Sequence, residues 1–289
     1  MSAVKTILVP LTGDVPAPHV VSAALEIAKS FDGHVLGTDT TRDPQVYGGD
    51  LSIGINGPYY GELYKTAEKI IEHMRESAKS TFDGTCKKQS LTMTRQPTSH
   101  VGATYFWLPD KQRLDNPVLT VGRLSDLIVV DQPRSKVAFN ETETLEASLF
   151  DTGRPVLMVP KHIDGFQPNH IAISWNGSKS VSKALSESLP LLEKVDSISI
   201  IQIGDIPTGN PDANLASDYL NWHGVKAVIH RVEHDGLSDG EALINTCEDI
   251  KADLVVMGAY ARSPVREIIF GGMTRHMISH SKIPVFFSH

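Results

Sequence analysis

The sequence predicts an α/β fold made of two tandem units, and three observations support this prediction. Short apolar runs rich in Val, Ile and Leu alternate along the chain with amphipathic stretches of helical period. The runs are apolar almost throughout, which indicates strands buried on both faces, as in a parallel sheet covered by helices on two sides. The same succession of elements occurs twice, so the chain carries an internal repeat.

The first strand of each copy ends in a glycine turn that leads into a helix. In the first copy, the run Thr6–Leu11 is followed by Thr12-Gly13 and by apolar residues at helical spacing. In the second copy, His170–Ser174 is followed by Trp175-Asn176-Gly177 and by a similar helical stretch. The two copies therefore begin with the same strand, turn and helix.

Three further pairs of strands match between the copies. They are Gly33–Asp39 with Ser197–Ile203, Asp126–Val130 with Asp253–Met257, and Arg154–Val159 with Ile283–Phe287. The spacing between the first two strands of each copy suits a β-α-β unit, whose strands are parallel. Each copy is therefore predicted to be a doubly wound, Rossmann-like domain with a five-stranded, mostly parallel sheet and helices on both faces.

The polar connection Lys161–Asn169 divides the chain into domains 1–162 and 163–289. The first domain also carries an insertion, Arg42 to Gly61, rich in Gly, Tyr, Asn and Pro, before a long helix predicted over about Glu62 to Lys79. Loops of this length are often lids or partner-binding surfaces, and a merely mobile insertion is an equal alternative.

Composition excludes several classes of function. With 27 Lys and Arg against 34 Asp and Glu, the formal charge is −7, which disfavours nucleic acid and acidic membranes as partners. The sequence offers no run of the length needed to span a bilayer and no leader before the first strand, so we expect a cytoplasmic protein. Cys86 and Cys247 are too few for a disulfide framework or a zinc ribbon.

A glycine-containing segment between a buried strand and a helix is the most informative part of the sequence. It reads Gly258-Ala259-Tyr260-Ala261-Arg262-Ser263, and Gly271-Gly272-Met273-Thr274 follows eight residues later. Ligands of open parallel sheets bind beyond the carboxyl ends of the strands, where a glycine loop entering a helix leaves N–H groups for phosphate. Glycines that serve backbone geometry alone are the alternative.

This segment resembles the universal stress protein family, and the resemblance extends over both copies. Nucleotide-binding members have Gly, two residues, Gly, nine residues, Gly and then Ser or Thr. Gly258 and Gly271 match the first and third glycines, whereas Ala261 replaces the second. Gly272 stands where Ser or Thr is expected, and Thr274 offers a hydroxyl two positions later.

The resemblance implies a stress-response protein that binds ATP or another adenine nucleotide in the second domain as a sensor or regulator, with Mg²⁺ as companion ion. ATP-binding members have an aspartate after the first strand, where this chain has Asn176. The implied site consists of Trp175, Asn176, Gly258, Ala261, Arg262, Gly271, Gly272, Met273 and Thr274. Arg262 could neutralise phosphate or be a solvated surface residue, and Trp175 could border a base or, as favoured, belong to the core.

The first copy is predicted to lack this site. Aligning the copies places Asp131 opposite Gly258, and places Thr142 and Glu143 opposite Gly271 and Gly272. Carboxylates at Asp131 and Glu143 would repel a phosphate, so we expect this domain to act as a structural partner.

Resemblance also implies that the two repeats form an intramolecular pseudo-dimer through their last strands, with Val156–Val159 near Val285–Phe287. A homodimer of whole chains and further protein partners are left open. No nucleophile elbow or Walker loop occurs in the sequence, so hydrolysis of ATP, if any, should be slow.

Three alternatives are kept. The chain could be an interaction scaffold with both sites degenerate, binding proteins through Arg42 to Gly61. It could be an adenine-nucleotide-dependent ligase of related fold, although the loop that such ligases carry after the first strand is absent. His276 and His280 have the i, i+4 spacing of metal ligands, but surface histidines are favoured.

Overall fold

The computed structural model describes residues 4–41, 59–96, 102–109, 116–134, 139–259 and 272–289. Within these residues the strands form a single 11-stranded sheet in the order β3-β4-β2-β1-β5-β6-β11-β10-β7-β8-β9. The strands are β1 Thr6–Leu11, β2 His34–Asp39, β3 Thr92–Met93, β4 Thr104–Trp107, β5 Leu127–Asp131, β6 Val156–Val159, β7 His170–Ser174, β8 Ser197–Ile203, β9 Val228–Val232, β10 Leu254–Gly258 and β11 Val285–Ser288.

Helices connect the strands and cover both faces of the sheet. They are α1 Pro18–Phe31, α2 Tyr59–Lys88, α3 Pro117–Gly122, α4 Phe139–Asp151, α5 Lys179–Leu192, α6 Ala213–Trp222, α7 Asp239–Asp249 and α8 Gly272–His280. None of the helices in the described residues is long and apolar enough to cross a membrane.

Each half of the sheet has the predicted doubly wound topology. The N-terminal unit runs β4-β2-β1-β5-β6 and the C-terminal unit runs β9-β8-β7-β10-β11, with parallel pairing inside each unit. The fold class is thus confirmed. The N-terminal unit differs in one respect, because the short strand β3 pairs with β4 and adds a sixth strand at that edge.

The two units meet through their last strands, as expected. Strands β6 and β11 pair antiparallel, with Met158 opposite Val285 and Val156 opposite Phe287. Leu157 and Phe286 belong to the core cluster on one face of the sheet, whereas Met158 and Phe287 belong to the cluster on the other. Since both clusters contain residues of both units, the units share their cores and form one continuous structure.

The repeated Asp-Leu pair at the start of β5 and of β10 has a structural role. Asp126 accepts hydrogen bonds at Oδ2 from the backbone N–H groups of Lys5 and Thr6, both at 2.9 Å. Asp253 does the same for Asn169 at 2.8 Å and His170 at 3.1 Å. This aspartate therefore fixes the beginning of β1 beside β5 in the N-terminal unit and the beginning of β7 beside β10 in the C-terminal unit.

Helix α2 is longer than the sequence predicted. It continues past Lys79 to Lys88, because Phe82 and Cys86 are fully buried in its last third. The Phe82 ring packs against Tyr105 and Trp107 of β4 with centroid distances of 5.9 and 5.4 Å. This packing outweighs the weak helix propensity of the Ser-Thr and Asp-Gly pairs there. Residues 42–58 of the predicted insertion lie outside the described residues.

Candidate functional site

The predicted site of the C-terminal unit lies at the carboxyl ends of β7 and β10, which are neighbours in the sheet. Met257 of β10 is in register with Ser174 of β7, and helices α5 and α8 begin just beyond these strands. Trp175, Asn176, Gly258, Gly272, Met273 and Thr274 are among the described residues. Ala261, Arg262 and Gly271 lie outside them.

Gly258 brings the end of β10 into close contact with the start of α5. A Cβ atom at this position would lie 2.5 Å from both Ser180 Oγ and the Val181 backbone nitrogen. Any larger residue would therefore push the helix away from the strand. The glycine is required for packing, and that packing places the α5 turn beside the end of β10.

The turn before α5 is organised by its own polar side chains. Asn176 is exposed, and its Oδ1 accepts a hydrogen bond from the Ser178 backbone N–H at 3.1 Å. Ser178 is the N-cap of α5, and its Oγ lies 3.1 Å from Ser180 Oγ. These contacts fix the turn while leaving Asn176 at the surface.

Trp175 lies in the core and not at the surface of the site. It is only 4% exposed, and its Nε1–H donates to the Pro211 carbonyl oxygen at 2.9 Å. Of the two roles considered from the sequence, the structure has the core one. Pro211 also approaches Gly177, where a Cβ atom would lie 2.7 Å from the same oxygen.

The first described residue of helix α8 is a glycine. Among the described residues, no atom lies within 4 Å of the position that a Cβ atom at Gly272 would take. The next residue, Met273, accepts a contact at its sulfur from Ser174 Oγ at 3.6 Å, which ties the first turn of α8 to β7. Thr274 is buried on the inner face of the helix together with Met277 and Ile278. Thr274 is therefore part of the helix packing.

The arrangement is suited to an anion. The first N–H groups of a helix have no partner within the helix, and they lie at the positive end of its dipole. The described side chains in contact at this end, Ser174 and Met273, are neutral. A phosphate group bound here would meet no competing carboxylate from these two residues, so this end of the helix fits a phosphate group.

The corresponding edge of the N-terminal unit is charged. Asp131, the last residue of β5, has its Oδ1 2.9 Å from His19 Nε2 and accepts a hydrogen bond at Oδ2 from Arg134 Nη2 at 3.2 Å. Glu141, in the first turn of α4, accepts a hydrogen bond from the Arg134 backbone N–H at 3.0 Å, and its Oε1 lies 3.5 Å from Arg134 Nε. These four side chains form a connected ionic cluster.

This cluster lies at the edge that corresponds to Gly258 and the start of α8 in the C-terminal unit. Asp131 belongs to the cluster, and its second carboxylate is Glu141 in place of the predicted Glu143. Glu141, and not Glu143, lines the small cavity beside Asp131. Burial raises the pKa of Glu141, an effect that its contacts with Arg134 oppose and that the charges of Asp131 and Asp14 reinforce. A carboxyl group in this environment would disfavour phosphate, as predicted for this edge.

The N-terminal edge is also closed by packing. The cavity has a volume of about 20 Å³ and is lined by the turn after β1 together with α2 and α4. That volume holds about one water molecule and excludes a nucleotide. At Gly13 a Cβ atom would lie 2.0 Å from the Met74 carbonyl oxygen, because the backbone of α2 lies directly on the turn.

The histidines and cysteines of the described residues were candidates for metal binding or thiol chemistry, and their geometry supports neither. In the described part of the chain, no group of three or more His, Cys, Asp or Glu side chains is arranged to hold a metal ion. His276 and His280 stack with their rings 4.4 Å apart, and His280 Nδ1 lies 3.1 Å from the His276 carbonyl oxygen. Burial raises the pKa of both Cys86 and Cys247 to about 12, so neither thiol is activated.

Sequence reasoning missed His19, Arg134 and Glu141. The three lie on different elements, and no spacing in the sequence joins them. The only local signal is the separation of three residues between Asp131 and Arg134 just after a strand.

Comparison with known proteins agrees with this architecture. The family model described as the universal stress protein family matches residues 210–289. No curated protein matches the sequence.

Two solved structures are similar over nearly the whole chain. A universal stress protein from Archaeoglobus fulgidus DSM 4304 has a TM-score of 0.59 and 16% identity, covering 98% of this chain and 95% of its own. A protein from Pseudomonas aeruginosa PAO1, described as functionally unknown, has a TM-score of 0.54 and 12% identity, covering 99% and 92%. At these identities the likeness shows a shared fold. The C-terminal unit thus matches the universal stress protein family, and the whole chain shares the fold of a universal stress protein, in agreement with the resemblance drawn from the sequence.

Proposed function

We propose that this chain is a cytoplasmic stress-response protein that binds ATP or a related adenine nucleotide in its C-terminal unit. The observation that carries the proposal is the position of the family match, residues 210–289, which includes Gly258, Gly272 and the first turn of α8. The N-terminal unit has the same topology but carries an ionic cluster at the equivalent edge. The proposal therefore assigns binding to one unit only.

In this proposal the phosphates lie at the first turn of α8. The backbone N–H groups of Gly272, Met273 and Thr274 are the donors, because the first N–H groups of a helix have no partner within it. Gly258 supports the site by holding β10 against α5. Ala261, Arg262 and Gly271 are proposed to complete the phosphate loop, and Mg²⁺ would accompany a triphosphate.

Asn176 is the polar side chain that we assign to the nucleoside end of the ligand. It is exposed at the turn after β7. Strand β7 is the neighbour of β10, which leads into the proposed phosphate site. An amide has both a donor and an acceptor, so it can pair with a base or a sugar hydroxyl without charge. Trp175 supports that turn from the core.

A sensor or regulator is the role that fits this site best. The sequence has no nucleophile elbow and no Walker loop. A ligand that binds one conformation better than another shifts the balance between the two conformations. The bound nucleotide would then report the energy state of the cell to a partner of this chain.

The test is nucleotide binding by the native protein and by two variants at one position. Native mass spectrometry would detect ligand that is purified with the protein, and calorimetry would measure the affinity for ATP, ADP and AMP. Gly272→Asp places a carboxylate at the helix N-terminus, where it should repel phosphate and lower the affinity at least tenfold, about 1.4 kcal/mol. Gly272→Asn has the same size without the charge and is the matched control.

The expected pattern is binding by the native chain, near-native binding by Gly272→Asn and lost binding by Gly272→Asp. Both variants should fold, because a side chain at Gly272 would meet none of the described residues within 4 Å and an acidic residue favours a helix N-terminus. Absence of any bound nucleotide and of measurable affinity in the native protein would overturn the proposal.

A further inference from the structure

The C-terminal end of α8 is held by a residue of the other unit. Gln132, which follows β5 in the N-terminal unit, donates hydrogen bonds from Nε2 to the carbonyl oxygens of Ile278 at 2.8 Å and Ser281 at 3.1 Å. We propose that Gln132 is a positioning residue through which the N-terminal unit fixes α8 and thereby sets the ligand affinity of the C-terminal site. This inference rests on the proposed nucleotide binding.

Helix α8 depends on such contacts. It spans Gly272–His280, which is below the length at which an isolated helix is stable in water. The last carbonyl groups of a helix have no partner inside it, and a buried carbonyl without a partner is costly. Ile278 is 8% exposed, so its carbonyl group depends on a protein donor. One side-chain amide with two N–H groups supplies both carbonyl oxygens at this end.

Gln132 is itself held in place before it reaches α8. Its backbone N–H donates to the Val159 carbonyl oxygen at 3.2 Å, continuing the pairing of β5 with β6. The residue before it, Asp131, is bound by His19 and Arg134, and Arg134 is bound in turn by Glu141. The ionic cluster of the N-terminal unit therefore makes the chain around Gln132 rigid.

A second contact from the N-terminal unit reaches the other side of the proposed site. The ring of Phe150 in α4 packs edge-on against His289, with centroids 5.6 Å apart and planes at 81°. His289 Nδ1 lies 3.1 Å from the carbonyl oxygen of Ala259, the residue after β10. The N-terminal unit thus reaches both sides of the proposed phosphate site. It contacts α8 directly through Gln132, and it reaches Ala259 through His289.

This geometry gives the N-terminal unit a role beyond packing. Ser174 contacts the first turn of α8 from the C-terminal unit, and Gln132 contacts its last turn from the N-terminal unit. A displacement of α8 relative to Gly258 would break one of these two contacts. Loss of the Gln132 hydrogen bonds should therefore loosen the helix whose N–H groups are proposed to hold the phosphates.

The test replaces Gln132 in the full chain and measures two properties. Gln132→Met keeps the length and removes both donors, whereas Gln132→Lys restores a donor and places a cation at the helix C-terminus, where the dipole favours it. Gln89→Met is the control, because the Gln89 amide contacts only Lys29 of its own unit among the hydrogen bonds described. Hydrogen exchange reports α8 directly, and calorimetry reports the affinity for ATP.

In Gln132→Met we expect amide exchange in α8 to be roughly tenfold faster, as the loss of two hydrogen bonds predicts, and the affinity for ATP to fall by a similar factor. Gln132→Lys should recover both properties, and Gln89→Met should change neither. A merely structural role of Gln132 would change exchange or melting temperature without changing affinity.

Two results would overturn the inference. One is unchanged exchange in α8 of Gln132→Met, and the other is faster exchange with unchanged affinity for ATP. Failure of the proposed function is recognised separately: the native chain would bind no nucleotide although Gln132→Met exchanges faster in α8. That result would refute the role in affinity and leave the contact itself established.

Discussion

The carboxyl edges of the two units share one topology and differ in chemistry. In the N-terminal unit, charged side chains from β5, α1 and α4 bind one another, and α2 lies on the glycine turn. In the C-terminal unit, Ser174 and Met273 at the same edge are neutral, and a Cβ atom at Gly272 would meet none of the described residues within 4 Å. The difference shows how one unit of a duplicated fold can close this edge with its own charged residues while the other has different chemistry there.

Closing a site in this way has an energetic cost that the contacts must offset. Glu141 is 7% exposed, and a buried carboxylate is unfavourable unless it is paired and hydrogen-bonded. Arg134 supplies both a backbone N–H and a guanidinium group. These contacts offset part of the cost of burying Glu141 at the N-terminal edge.

The largest loss of stability is expected when a methyl group is added at the glycine turns that follow the first strand of each unit. Gly13→Ala should lower the free energy of unfolding by about 3 kcal/mol or more, because φ is +71° and the Cβ atom would lie 2.0 Å from the Met74 carbonyl oxygen. Gly177→Ala should cost less, since its nearest atom lies at 2.7 Å. Urea denaturation would measure both.

Gly153→Ala separates the two causes. Its φ of +68° is similar, but a Cβ atom would meet nothing within 4 Å, so only the backbone term remains, about 1 kcal/mol. If Gly13→Ala were no more destabilising than Gly153→Ala, then α2 would not be packed on the turn and the closure of the N-terminal edge would have to be abandoned.

A second, smaller contrast lies within the C-terminal site. Gly258→Ala should destabilise the protein by about 2 kcal/mol, because its Cβ atom would lie 2.5 Å from the Val181 backbone nitrogen. Gly272→Ala should be neutral or stabilising by a few tenths of a kcal/mol, since alanine favours helix and its methyl group would meet none of the described residues. Equal losses in the two variants, measured by thermal unfolding, would contradict the distinction between a packing glycine and an accessible one.

Most of the fold follows from the sequence because the central strands are buried on both faces. Continuous apolar runs placed β1, β5, β7 and β10 to within a residue or two. Strands β4 and β9 lie towards the edges and alternate with polar or exposed residues, as in His230 and Arg231. A half-exposed strand has no continuous apolar run, so the sequence did not assign either of them.

A candidate site was predictable only where one short segment carries it. Gly258 and Gly271 stand out because a known spacing joins them, and Gly271 lies outside the described residues. The cluster of His19, Arg134 and Glu141 depends on three separate elements meeting in space, and no local pattern encodes that meeting. Gln132 was missed for the same reason, since its partners lie 146 and 149 residues away.

The smallest expected effect concerns the titration of Glu141. Burial, as the largest cause, raises its pKa above the ordinary value of 4.5. The folded protein therefore holds this proton more tightly than the unfolded chain, so the contribution of Glu141 to stability is full below pH 4.5 and declines as pH rises through the raised pKa. Glu141→Gln removes the titration and should flatten this part of the stability profile.

The measurement is the difference in unfolding free energy between the native protein and Glu141→Gln across the mildly acidic range. This difference should decrease with rising pH. A difference that instead grew with pH would mean that Arg134 stabilises the ionised carboxylate more than burial opposes it. The N-terminal edge would then be a preformed ion pair whose charge is favoured, and its closure would strengthen towards neutral pH.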